Sequence, residues 1–551
     1  MQNTDKKAVL TLTHALGDID AVISPGSRNA PLSIAFNRRE SGANFVVVDE
    51  RSAAYFALGI AQKTQKPVAL ICTSGTAVLN YMPAVAEAYY QQIPLLVITA
   101  DRPEAWIDQE DSQTIRQRDV MRNIVKASFQ LPKDESEESL WHANRIANNA
   151  LSVAQKGRKG PVHINVPLAE PLYKLADDNG EYIQRTIAAP AVKGDCPSEV
   201  LSIFERSRKV MILGGFLLPC DKLQQNLETI CQHKNGIVVV AEQLSNVKPG
   251  RKIINCAERL FSSITEEEAE LFRPDLLITF GGSLVSKSAK LFFRKHKPDF
   301  HFNVNFSDVL ADTFGALSHQ IEMSMQDFTA SIAKQVNADC NRRDNNKEDL
   351  FADLFTDRNL ALERKFETEH ETYDWNEREV FNILTKSLPD DSDLHLSNGL
   401  SVRLGQFFSC KKNIRYFANR GTSGIDGSTS TAAGFAAKKA QTSDFSFTTL
   451  ITGDLSFLYD SNALWNKHLP DRFKIIVINN NGGGIFRNLK GPSDLEEMRE
   501  YFETPHSVNI AQLACAYGVN YAKATDKVSL NEALSKVYSP ESKCSVLEIV
   551  V

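Results

Sequence analysis

Apolar runs of strand length alternate along the chain with longer segments in which apolar residues recur every three or four positions. The runs, bounded by Gly, Pro, Asn and Asp, predict buried strands, the longer segments predict helices, and their regular alternation predicts parallel α/β architecture. In the first third the predicted strands are DAVIS, NFVVVDE, PVALICTS, PLLVITADRP and PVHINVP, with helix-like RSAAYFALGIAQKT and AVLNYMPAVAEAYYQQ among them. The rhythm lapses over residues 175–197, which read as a linker. A second set follows, KVMILGG, GIVVVAEQ, DLLITFGG and HFNVNF, and then residues 341–375, whose dense charge predicts a solvated helical connection. LHLSN, IRYFAN, FTTLITGD, FKIIVINNN and CSVLEIVV form a third set. The predicted fold class is α/β, with three consecutive parallel-sheet domains over residues 1–180, 195–340 and 365–551. The first and third look like siblings, both bunching polar residues at strand ends, where open parallel sheets bind ligands.

Length agrees with that division, since 551 residues exceed what one core accommodates. A content of 42% hydrophobic and 24% charged residues is that of a soluble globular protein. A net charge of −6 argues against nucleic acid as the main partner. No apolar run reaches membrane-spanning length, and MQNTDKKAVLTLTHAL lacks the apolar core and cleavage site of a signal peptide. The nine cysteines never form CxxC, which argues for a reducing compartment and against a disulfide scaffold or zinc site. The expected location is the cytoplasm. The two strand-Gly-Gly turns of the central set are not GxGxxG and read as tight turns rather than a nucleotide site.

Candidate chemistry concentrates in GDLSFLYDSNALWNKHLPDRFKIIVINNNGGGIF, residues 453–486. One buried strand ends in Gly453-Asp454, and the next ends in Asn479-Asn480-Asn481 followed by three glycines. A carboxylate and carboxamide oxygens at adjacent strand ends are hard ligands suited to Mg²⁺, which binds few protein groups together with phosphate oxygens and water. Leu455 and Ser456 then offer backbone N–H groups at a helix start, and the glycines permit close approach of a diphosphate. The bland alternative makes Asp454 a helix cap and NNNGGG a loop.

This span resembles the diphosphate-binding motif of thiamine-diphosphate-dependent enzymes. The resemblance implies pyrimidine-binding, central and diphosphate-binding domains, with thiamine diphosphate as cofactor and Mg²⁺, or Mn²⁺, as its metal. It implies Asp454, Asn480 and the carbonyl of Gly482 as metal ligands, with Asn481 as the fallback if the register is off by one. Gly453, Leu455, Ser456, Ile485 and Phe486 would contact the cofactor, Leu455 standing where many relatives have Gly. Ile425 would buttress it, against the alternative of an ordinary core side chain. It further implies a catalytic carboxylate on the cofactor's pyrimidine nitrogen N1′. NFVVVDERSAAYFALG supplies Glu50 there, at the end of an apolar strand and opening an Ala-rich helix; the competing role is a plain helix-start acid. Desolvation in a cofactor pocket would raise its pKa and suit proton sharing.

The blocks SPGSRNAPL, DERSAAYFALG, TSGTAVLNYMPAVAEA, ITADRPEAWIDQEDSQTIRQ, GPVHINVPLAEPLY, NRGTSGIDGSTSTAAG and GDLSFLYDSNALW resemble, in order, one branch of that family. The branch decarboxylates 2-oxoglutarate and adds the succinyl-semialdehyde carbanion to isochorismate in menaquinone biosynthesis. Both substrates are dicarboxylates, and Arg is the side chain best shaped to grip them. By resemblance Arg403 and Arg420 hold the 2-oxoglutarate-derived part, and Ser27, Arg28, Arg102, Gln113 and Lys287 the isochorismate side. Gly399 stands where the pattern often has Ser, which passes one carboxylate hydrogen bond to Ser397, Ser401 or water. Ser288 follows Lys287 where some relatives have a second cation. The resemblance implies a homodimer or a dimer of dimers, with active sites between chains. The rival readings are another thiamine-diphosphate enzyme, such as an acetohydroxyacid synthase or a simple 2-oxo acid decarboxylase, and a non-catalytic ligand sensor of the same fold.

Overall fold

The computed structural model describes residues 6–175, 187, 196–338, 349–369, 374–408, 413–488 and 491–551, so the predicted linker lies almost wholly outside the described residues. Strands β1 (Asp20–Ile23), β2 (Asn44–Val46), β3 (Val68–Cys72), β4 (Leu95–Asp101), β5 (Ser128–Gln130) and β6 (Val162–Pro167) form a sheet in the order β2-β1-β3-β4-β6-β5. The central sheet joins β7 (Val210–Gly214), β8 (Ile237–Ala241), β9 (Ile253–Ile254), β10 (Leu276–Phe280), β11 (Phe300–Val304) and β12 (His319–Ile321) as β12-β11-β10-β7-β8-β9. The last sheet joins β13 (Asp393–Leu396), β14 (Arg415–Phe417), β15 (Thr448–Gly453), β16 (Phe473–Asn479), β17 (Asn520–Ala524) and β18 (Ser545–Val550) as β14-β13-β15-β16-β18-β17. All ladders between these strands are parallel.

The outer sheets therefore repeat one strand order, as their polar strand ends suggest. The central sheet has the other doubly wound order, reversing at β10 and β7. In the last sheet the chain moves one way from β13 to β14 and the other way from β15, which opens a crevice at the carboxyl ends of β13 and β15. The inner strands are buried on both faces, so VALIC, IVVVA and FKIIVI read as continuous apolar runs rather than alternating ones.

One apolar core is common to the first and last sheets, reached through the helices Glu50–Thr64 and Ser428–Lys439. These helices touch backbone to backbone. A Cβ at Gly59 would collide with the carbonyl oxygen of Thr431, and one at Gly434 with that of Phe56. Ser52 and Ser430 hydroxyls meet at 2.8 Å across the same contact.

One expectation changes in the fold. The charged connection does contain a helix, Leu350–Glu369, but Phe351 and Phe355 are buried in the central core, Phe355 edge-on to Phe272 at 4.8 Å, so only part of the helix is solvated. The two Gly-Gly turns pack on each other: Gly215 N–H donates to the Phe280 carbonyl (3.0 Å) and Gly282 N–H to that of Phe216 (2.7 Å). No helix among the described residues is long and apolar enough to cross a membrane.

Candidate active site

Strands β15 and β16 run side by side with Gly453 opposite Ile478, so the residues that follow emerge at the same level. Asp454 opens the helix Asp454–Tyr459 and is 1% exposed. Its Oδ1 accepts from Leu455 N–H at 2.8 Å; its Oδ2 accepts from Gly482 N–H at 2.8 Å and lies 3.2 Å from His506 Nε2. Burial pushes the Asp454 carboxyl up from its ordinary value, while both amides and His506 act against that shift. The Leu455 amide, one of the two N–H groups that the sequence places at this helix start, donates to Asp454, and Leu455 itself lines the cavity. Ser456 contributes its hydroxyl, which donates to the Ile425 carbonyl at 2.7 Å.

The three asparagines separate cleanly. Asn479 Nδ2 donates to Glu548 (2.6 Å), Asn481 is exposed at φ 62°, and only Asn480 faces the cavity beside Asp454. Asn480 Nδ2 donates to Glu377 Oε1 at 3.1 Å, which leaves its amide oxygen, the atom a hard cation takes, toward the cavity. Gly482 has φ 144°, and a Cβ there would meet the backbone of Glu503, so the turn requires glycine.

A cavity of about 330 Å³ opens here, lined by Gly453, Asp454, Leu455, Ser456, Asn480, Gly482, Ile485, Phe486 and Ile425, every residue assigned to the diphosphate side. Arg403 and Ser401 are on its wall, while Ser397 is fully buried and off it. Ile425 is 42% exposed, which rules out the core-residue alternative. A Cβ at Gly453 or Gly399 would meet nothing within 4 Å, so bare backbone borders the open space. Room for a phosphate group, a buried carboxylate and a free carboxamide oxygen fit a diphosphate carried on a divalent cation. Among the described residues no group of three His, Cys, Asp or Glu side chains could hold a metal, so such an ion would depend on the ligand's own oxygens.

Arg420 is not on the wall. Its NH1 donates to Asn398 Oδ1 (2.7 Å), and Asn398 lines the cavity. Burial lowers the pKa of both Arg403 and Arg420, and the charge of Arg403 acts further on Arg420.

Glu50 is absent from this cavity. Strand β2 stops at Val46, earlier than NFVVVDE suggests, and Asp49 caps the next helix by accepting from Ser52 N–H (2.8 Å). Glu50 is the first helical residue, half-buried, with a carboxyl pushed up by burial and by Asp49 against its own backbone hydrogen bond. A separate cavity of about 1020 Å³ in the first sheet's loops includes Arg28 and Arg102. Arg28 is 6% exposed, donates to the Leu168 carbonyl (2.9 Å) and lies 3.4 Å from Glu170. Arg102 pairs with Asp111 (2.9 Å) and donates to the Ser112 carbonyl (2.7 Å). Ser27 and Gln113 do not line that cavity, and Lys287 lies exposed at the start of the helix Lys287–Lys295, outside both. Ser288 donates its hydroxyl to Glu258 (2.7 Å).

Sequence reasoning missed Glu377, His506 and Asn398. Glu377 follows the helix cap Asn376, His506 sits in irregular backbone, and neither carries a motif. Asn398, at the end of LHLSN, matches the strand-end pattern that found Asp454.

Comparison with known proteins agrees with this geometry. Residues 5–121 match the family model of the thiamine pyrophosphate enzyme N-terminal TPP binding domain, and residues 399–549 that of the C-terminal TPP binding domain. The chain is 39% identical to a 2-succinyl-5-enolpyruvyl-6-hydroxy-3-cyclohexene-1-carboxylate synthase of Porphyromonas gingivalis, across 99% of this chain and 94% of that one. Synthases of the same name from Flavobacterium johnsoniae (39%, covering 98% and 95%) and Desulfotalea psychrophila (39%, covering 94% and 93%) match comparably. The chain belongs to the 2-succinyl-5-enolpyruvyl-6-hydroxy-3-cyclohexene-1-carboxylate synthase family of thiamine pyrophosphate enzymes.

Proposed function

We propose that the protein decarboxylates 2-oxoglutarate and adds the resulting succinyl-semialdehyde carbanion to isochorismate, giving the product named in its family and carbon dioxide, as a cytoplasmic step of menaquinone biosynthesis. The observation that carries this is the convergence of Asp454, Asn480 and Gly482 on one cavity that also has Arg403 on its wall. An anionic cofactor and a carboxylate substrate both find complementary groups there. Thiamine diphosphate, when bound, supplies the carbon nucleophile and the electron sink for loss of carbon dioxide.

The chain's own residues supply binding and proton control. Asp454, Asn480 and the Gly482 carbonyl hold Mg²⁺ or Mn²⁺, Ile425 supports the cofactor's apolar face, and Glu50 shares a proton with its pyrimidine nitrogen. Arg403 and Arg420 bind the 2-oxo acid, and Arg28 and Arg102, with Ser27, Gln113 and Lys287, bind isochorismate. Incubation with 2-oxoglutarate and isochorismate should give a product whose mass equals the sum of the two substrates less carbon dioxide. Condensation of pyruvate alone would instead favour an acetohydroxyacid synthase-like activity, and binding without turnover a sensor.

The active site lies between chains of a homodimer or a dimer of dimers, the pyrimidine-binding unit (1–180) of one facing the diphosphate-binding unit (365–551) of the other. This reading is supported by the separation of Glu50, Arg28 and Arg102 from the Asp454 cavity within one chain. Mixing inactive Glu50→Gln and Asp454→Ala proteins under subunit exchange then regenerates activity, because a heterodimer has one intact and one doubly damaged site. Random exchange at equal amounts leaves about a quarter of all sites intact, by two-fold symmetry. Proven exchange with no recovered turnover would leave a self-contained chain.

A further inference from the structure

The segment carrying Arg420 is gripped by a buried acid from another sheet unit. Glu87, in the helix Met82–Gln91, is 1% exposed. Its oxygens accept from Gly421 N–H (2.6 Å), Thr422 N–H (2.6 Å) and the Thr422 hydroxyl (2.7 Å). A Cβ at Gly421 would collide with the Glu87 carbonyl oxygen, so the close approach depends on glycine. Gln91, one helical turn on, donates to the Ala418 carbonyl at 2.6 Å. From the cavity side Asn398 accepts from Arg420 and donates to the carbonyls of Asn419 and Gly424, both at 2.7 Å.

A second buried acid comes from the central unit. Glu242, which follows β8, is fully buried and accepts from Val285 N–H (2.9 Å) and Ser286 N–H (2.6 Å). It interacts electrostatically with Arg420 and with Lys290. Burial pushes both carboxyls up, Glu242 to about 7, and the backbone amides they accept from and the charge of Arg420 act against that shift. Neither acid lines the Asp454 cavity.

We infer that Glu87 is a positioning residue that aims Arg420, so that selectivity for a dicarboxylate 2-oxo acid in the last unit depends on an acid from the first. The inference rests on the proposed role of Arg420. A guanidinium recognises a carboxylate through a planar fork, so its orientation decides affinity. Gln in place of Glu87 sets its NH₂ group against one of the two backbone N–H donors, that of Gly421 or that of Thr422, and loosens the loop.

The test compares 2-oxoglutarate with the monocarboxylate 2-oxobutanoate, measured as carbon dioxide released by the cofactor-loaded protein at saturating isochorismate. Glu87→Gln should raise KM for 2-oxoglutarate about tenfold, the size expected on weakening one charged hydrogen bond to the Arg420 loop. KM for 2-oxobutanoate and kcat should move far less. Arg420→Ala should erase the same preference, and adding Glu87→Gln to it should change little more, because the two act as one unit. Thr422→Val, which keeps the carboxylate but removes one of its donors, should shift the preference in the same direction. If Glu87→Gln does not fold, an unchanged preference in Thr422→Val overturns the inference. Equal effects of Glu87→Gln on both substrates, beside a selective loss in Arg420→Ala, overturn it while sparing the Arg420 assignment. An unaltered preference in Arg420→Ala overturns both.

Discussion

Replacing Glu50 with Gln should leave a folded protein that binds thiamine diphosphate with Mg²⁺ and turns over about 10²–10⁴-fold more slowly, the range for loss of a general acid–base group. The local structure separates this outcome from mere damage to a helix. Asp49, not Glu50, supplies the cap, accepting from Ser52 N–H and also from Asn462 Nδ2 at 2.7 Å. An acid in the first turn otherwise contributes only about 0.3–1 kcal/mol through the helix dipole, so neutralising it does not threaten the fold. What Gln removes is a proton-sharing carboxyl held half out of water, where burial already favours its protonated form. Three measurements check this: cofactor affinity by calorimetry, exchange of the cofactor's thiazolium C2 proton by NMR, and product formation. Affinity should be near normal and the other two depressed together. Near-normal proton exchange in the variant would remove Glu50 from the chemistry.

The inner strands and the diphosphate side of the site were legible because burial on both faces writes itself into sequence as unbroken apolar runs, and their ends carry the polar groups. The strands not predicted, β5, β9, β12 and β17, all lie at sheet edges. An edge strand pairs on one side only: β5, β9 and β12 are just two or three residues long, and NYAKA of β17 is part-exposed, so none carries a long apolar run. The resemblance named Asn480 with Asn481 as the fallback, but what separates the three asparagines was not legible in the sequence. They are separated by Glu548 beneath Asn479 and by the left-handed turn at Asn481, contacts set by β18 and by the loop. Arg420 shows the same limit. Its block was recognisable, but its place behind Asn398, between acids from two other units, depends on how the three sheets dock.

Asp454→Ala should abolish Mg²⁺-dependent binding of thiamine diphosphate, a loss larger than any other substitution at the site would cause. An octahedral cation with few protein ligands tolerates little deletion, and Asp454 is the one carboxylate among the three proposed here. The substitution also unties the glycine turn, because Asp454 Oδ2 accepts the Gly482 N–H that fixes this loop against the end of β15. Leaving that amide and the Leu455 amide unpaired costs on the order of 1–3 kcal/mol each, which loosens the loop without unfolding a protein with three buried sheets. The two contributions can be told apart with Asp454→Asn, which retains the shape and one acceptor oxygen but gives up the charge. If the metal carries the diphosphate, both variants lose cofactor binding, although Asp454→Ala also lowers the melting temperature of the unloaded protein more than Asp454→Asn does. If Asp454 serves only its own helix and loop, the melting temperatures fall in the same way while titration with thiamine diphosphate and Mg²⁺ gives an unchanged affinity. The position of Asn480 makes the first outcome the expected one, since a cap has no need of a carboxamide oxygen presented to the same cavity from the neighbouring strand.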